Sequence, residues 1–161
     1  MTTRVSPWIL GAFGLATSVS VPAAEKLCDV LQDFVGSVGV GESRELKFYV
    51  VVGSNFKDRE APAYGARRCE YGGYEPGKAL CTYFMENGSI ESPGLNAKAV
   101  IACISPKTKF APGSWLYAIS FGAKVGTGPR GNRVDLVLAE DKEVGGVVMS
   151  IKSTGIWHPN E

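Results

Sequence analysis

The chain predicts an α+β domain: about four antiparallel strands with a C-terminal three-strand meander, helices packed on one face, and two disulfides. Three observations carry that expectation. Four segments alternate apolar and polar residues with a period of two, as strands with one buried face do. Three others place apolar residues at helical spacing. Four cysteines follow an opening segment with the order of an export leader.

That leader reads MTTRVSPWILGAFGLATSVSVPAA, with Arg4 the only charge before Glu25. A charged start, an apolar middle and small residues at the end are the order of a secretory signal. The expected cut follows Ala23, with Val21 and Ala23 in the small pockets of the peptidase. The apolar run is short for a spanning helix, which needs roughly 20 apolar residues, and it contains Pro7 and several hydroxyls. The expected organisation is therefore a signal peptide over 1–23 and a single exported domain over 24–161, with no membrane insertion after leader removal. In a bacterium this domain is periplasmic; elsewhere it is secreted.

AEKLCDVLQDFV (24–35) sets Leu27, Val30, Leu31 and Phe34 on one helical face. RELKFYVVVG (44–53) alternates Leu46, Phe48, Val50 and Val52 against Lys47, Tyr49 and Val51, the pattern of a strand. Residues 54–75 form the longest irregular piece, and so long a loop within a compact domain usually has a task. EPGKALCTYFMENG (75–88) offers a proline for a first helical turn and Asn87-Gly88 for a stop, with Leu80, Tyr83 and Phe84 as its stripe. LNAKAVIACISP (95–106) has a capping residue in Asn96 and must end before Pro106; Val100, Cys103 and Ile104 share a face.

Three strands are expected after that. WLYAISFGAKV (115–125) alternates Trp115, Tyr117, Ile119 and Phe121 against Leu116, Ala118, Ser120 and Gly122. RVDLVLAED (133–141) puts Val134, Leu136 and Leu138 on one side, and GGVVMSIKS (145–153) does so with Val147, Met149 and Ile151. The glycine-rich or polar links between them suit hairpins. GTGPRG (126–131) has the letters of a dinucleotide fingerprint, but a strand rather than a helix follows, so no helix N-terminus is there to receive a pyrophosphate.

Cys28, Cys69, Cys81 and Cys103 are spaced by 41, 12 and 22 residues. Zinc sites favour close cysteine pairs or nearby histidines, and the lone His158 lies beside the C-terminus. No metal, redox pair or cofactor is expected; an even cysteine count in an exported chain points to two disulfides. Of the three possible connectivities, the preferred one joins Cys69 to Cys81, pinning the long loop to the second helix, and Cys28 to Cys103, tying the first helix to the third.

Charge narrows the function classes. The whole chain has 17 basic and 16 acidic side chains, and Arg4 is the one charge lost with the leader, so the domain is formally neutral. Neutrality gives no case for a nucleic-acid partner. No catalytic residues are assigned: His158 is the sole imidazole, and no two carboxylates stand out as a pair. What remains is Tyr64, Arg67, Arg68, Tyr71 and Tyr74, interleaved with glycines, in the residue types that dominate protein interfaces. The expected function is a small, exported, disulfide-stabilised protein-binding domain, of the kind that acts as an inhibitor or immunity protein against a secreted enzyme. Its expected binding surface is the 55–75 loop. The alternatives are a carboxylate-based hydrolase of cell-wall or other glycan and an accessory protein of an envelope assembly.

Overall fold

A computed structural model describes residues 23–126 and 130–157. The elements run α1 (Ala23–Gly36), β1 (Ser43–Val52), β2 (Gly65–Glu70), α2 (Glu75–Asn87), α3 (Pro93–Ile104), β3 (Ile119–Val125), β4 (Arg130–Asp141) and β5 (Gly146–Trp157). The strands form one sheet of order β2-β1-β5-β4-β3, and every neighbouring pair is antiparallel. The C-terminal meander is as expected, and β1 closes back onto β5.

The sheet has five strands rather than about four. The extra one, β2, lies inside the segment expected to be a loop, so Cys69 stands on a strand. GARRCE has no apolar alternation to reveal it. Its pairing with β1, Phe48 opposite Cys69 and Tyr49 opposite Arg68, is a long-range contact that local pattern cannot show.

Side chains on one sheet face make the main core with all three helices. Leu46, Phe48, Val134, Leu136, Leu138, Met149 and Ile151 supply the sheet side; Leu27, Leu31, Phe34, Leu80, Phe84, Val100 and Ile101 supply the helices. The buried faces of α1 and α2 are those that the periodicity predicts; α3 buries Ile101 with Val100, while the expected Cys103 and Ile104 are only half-buried. Phe48 and Phe84 stack with ring centres 5.1 Å apart. Gly88 ends α2 with an ordinary negative φ of −64°; a Cβ there would lie 2.8 Å from the Phe48 ring, so close packing keeps this position glycine.

Both disulfides have the expected partners. Cys28–Cys103 joins α1 to α3 and Cys69–Cys81 joins β2 to α2, with Cα separations of 5.1 and 5.6 Å. The C-terminal end of α1 is satisfied from the sheet: Asn132 Nδ2 donates to the Val35 and Val38 carbonyls at 2.6 and 3.1 Å. No helix among the described residues is long and apolar enough to cross a membrane.

Several boundaries differ from expectation: β4 begins earlier, at Arg130, and β5 runs on to Trp157. α3 begins at Pro93, with Ser92 as its N-cap, so Asn96 is not the cap. Its buried amide instead braces the preceding turn, accepting from the Ser89 N–H at 2.7 Å and donating to the Ser89 carbonyl at 2.9 Å. The second expected strand, observed as β3, begins at Ile119 rather than Trp115. Residues 1–22 of the expected leader and His158 lie outside the described residues, and Ala23 opens α1.

Candidate protein-binding surface

Two irregular segments carry exposed aromatic side chains. The first runs from Gly53 to Tyr64, between β1 and β2. The Gly53 N–H donates to the Tyr64 carbonyl at 2.9 Å and closes the loop at its base, and Gly53 takes a left-handed φ of +73° that favours glycine. Asn55 donates to the Ala61 carbonyl at 2.7 Å. Phe56 is buried against Tyr49 and Val51 on the sheet face that the helices leave open.

Arg68 clamps this loop. Its guanidinium lies 4.6 Å from the Phe56 ring centre and 5.0 Å from that of Tyr49, within cation–π range. Nη1 meets Asp58 Oδ2 at 2.7 Å, and Nε faces Glu70 Oε1 at 3.5 Å. Tyr49 donates to Glu70 Oε2 at 3.3 Å. Burial, and then the negative charge of Glu70, raise the Tyr49 pKa above its ordinary value.

The five residues expected to anchor a partner are not gathered on one surface. Arg68 pairs with Tyr49 on the open face, whereas Arg67 is opposite the core residue Val50 and so projects to the helix side. There Arg67 Nη1 donates to the Met85 carbonyl at 2.6 Å, in the last turn of α2, where a cation suits the helix dipole. Tyr71 is half-buried and packs on the core, beside Gly77. Tyr74 is also half-buried. Its hydroxyl donates to Ser37 Oγ at 2.7 Å, its ring meets Phe34 edge-on at 6.0 Å, and Arg44 lies 5.0 Å above it. Tyr64 alone is fully exposed. A groove of about 450 Å³ runs past Arg59, Arg67, Lys78 and Met85 beside the Cys69–Cys81 bridge.

The second segment, 105–118 between α3 and β3, is hidden in the sequence because Trp115 and Tyr117 continue the alternation of β3. In the fold they precede the strand and face outward, 65% and 79% exposed, with Leu95 at 52%. A tight contact brings α3 to them: a Cβ on Gly94 would lie 2.3 Å from the Leu116 carbonyl oxygen. Leu116, between the two aromatics, packs against the core. Lys98 reaches from α3 to the Ser114 carbonyl and to Ser114 Oγ, and lies 5.4 Å above the Phe110 ring. The aromatic tip is thus held by Lys98 at Ser114 and by the burial of Leu116. Pro106, Pro112 and the positive-φ Gly113 just ahead of Trp115 are the readable sign that a strand does not start there.

Among the described residues no three or more His, Cys, Asp or Glu side chains gather as a metal ion would require. No family model, curated protein or solved structure matches this chain.

Proposed function

We propose that the protein is exported and acts by binding another protein, in the manner of an inhibitor or immunity factor directed at a secreted enzyme. The observation that carries this reading is the exposed pair Trp115 and Tyr117, on a loop that packs against Gly94 of α3, next in the chain to the exposed Leu95. Large aromatics exposed in a group cost solvation in a free domain and supply most of the energy in protein interfaces. A loop already held by Lys98 and by Leu116 loses little further entropy on binding. Two disulfides fit an oxidising compartment and support the export reading.

The test is to isolate the tagged protein from the export compartment, identify a stoichiometric companion and measure its affinity for purified variants. Trp115→Ala and Tyr117→Ala each weaken binding by about 1 to 3 kcal/mol, roughly 5- to 150-fold, and leave Tm nearly unchanged. Unchanged affinity in both, or turnover of glycan with no companion bound, overturns the reading. N-terminal sequencing of the same sample should begin at Ala24 or Glu25; an intact Met1 on the exported product contradicts the cleavage.

A further inference from the structure

Between Glu91 and Asp135 the chain carries six basic residues, Lys98, Lys107, Lys109, Lys124, Arg130 and Arg133, and no acidic one. In a domain that is neutral overall, this tract is the exception, and it folds into contiguous elements. It comprises α3, the 105–118 loop, the strand β3 and the start of β4. Lys107, Lys109 and Lys124 are exposed on it.

β3 is also an edge of the sheet, hydrogen-bonded to β4 alone. Proteins commonly blunt an edge with proline, a bulge or a covering element. The other edge, β2, is bridged to α2 by Cys69–Cys81 and by Arg67. β3 has neither proline nor bulge, its register with β4 running unbroken from Ile119 opposite Leu138 to Val125 opposite Asn132, and its one charged residue is Lys124 near its end, a residue type that discourages pairing with a neutral or basic strand more than with an acidic one. Ser120 lies toward the open sheet face and is exposed; at Gly122 the Asp135 carboxylate covers that face, 3.1 Å from where a Cβ would sit, and is itself paired with Arg133 at 3.0 Å, so the exposed Lys107, Lys109 and Lys124 carry the charge of this edge.

We infer that an acidic, extended segment of a partner protein adds to the free edge of β3 as a sixth strand, with its end seated against Trp115, Tyr117 and Leu95. Main-chain hydrogen bonds along the edge would give affinity, the aromatic tip an anchor, and the lysines the preference for acidic sequence. This inference rests on the protein-binding reading and names the partner's chemistry.

The test uses the folded full domain and three strand-length peptides: alternating Glu and Val, alternating Lys and Val, and the Glu–Val peptide interrupted by proline. Binding is followed by amide NMR shifts at rising salt. The expected result is binding of the acidic peptide only, with shifts confined to Leu95 and 107–125 and affinity falling at least about tenfold from roughly 0.05 to 0.5 M salt. Trp115→Ala and the double variant Lys107→Glu/Lys109→Glu each weaken it by more than about tenfold while their spectra remain those of folded protein.

Equal binding of the basic or proline-interrupted peptide overturns the inference, as does no shift with any peptide. Preferential uptake on phosphatidylglycerol vesicles or duplex DNA, or self-association through 119–125, replaces the acidic segment with another occupant and also overturns it. Shifts confined to 55–75 overturn this surface yet leave the protein-binding reading intact, and that reading is decided separately by the companion protein's affinity.

Discussion

Arg68 has an acid on either side and two aromatic rings within cation–π range, so what looks in sequence like a solvated interface arginine is an internal clamp. Tyr49, beside it, titrates above its ordinary value. Its hydroxyl is uncharged when protonated, and burial with Glu70 nearby holds that proton in the native state after the unfolded chain has released its own. The associated stability is full below the unfolded tyrosine value of about 10 and is lost as pH rises through the higher native value. Stability should therefore fall above about pH 10, with Tyr83, raised by burial, contributing in the same direction. Urea midpoints at neutral and alkaline pH check this: Tyr49→Phe should show a shallower alkaline decline. An identical decline would assign the effect elsewhere.

The first turn of α3 shows how one element positions the aromatic tip. Helix propensity alone would favour alanine over glycine at position 94. Contact reverses that preference, because a Cβ there would meet the Leu116 carbonyl oxygen at 2.3 Å and the Leu116 Cβ at 3.0 Å. The oxygen belongs to backbone, so the 105–118 loop itself must move. Gly94→Ala is expected to cost about 1 to 3 kcal/mol, as overpacking does, and to displace Trp115 and Tyr117. The expected signature is a lower Tm together with weaker binding by the folded fraction, whereas Trp115→Ala lowers binding alone. A Gly94→Ala protein with unchanged Tm would mean that the loop yields freely. Asn96, two residues further along the same turn, does its work through a side-chain amide rather than as a cap: it braces Ser89 and sets where α3 leaves α2.

Across the molecule, the two disulfides connect elements that the chain order separates by very different lengths. Cys28–Cys103 spans 75 residues and Cys69–Cys81 spans 12. By loop-closure entropy the long bridge contributes about 4.5 kcal/mol and the short one about 3 kcal/mol. Replacing Cys28 and Cys103 by Ala should thus lower stability more than replacing Cys69 and Cys81, as read from urea unfolding at neutral pH. The reverse order would show that the β2–α2 bridge acts mainly by preserving native packing at the sheet edge. Charge is also distributed at this scale: a formal net charge of only +1 hides the acid-free tract from Ser92 to Val134, which includes the edge strand β3.

Periodicity was enough for the buried stripes of α1, α2, β4 and β5, because burying one face imposes a repeat on local sequence. Helix placement also sufficed to prefer the correct cysteine pairs, since Cys28 and Cys103 sit on helices that must cover the same sheet. The fifth strand was out of reach: GARRCE owes its extended form to pairing with Lys47–Val52, not to its own pattern. Where the candidate anchors sit was likewise decided by the fold. Arginine and tyrosine have the same composition whether they face a partner or a neighbour. Only the tertiary arrangement put Arg67 on the Met85 carbonyl, Arg68 between Asp58 and Glu70, and Tyr74 on Ser37, while turning Trp115 and Tyr117 to solvent.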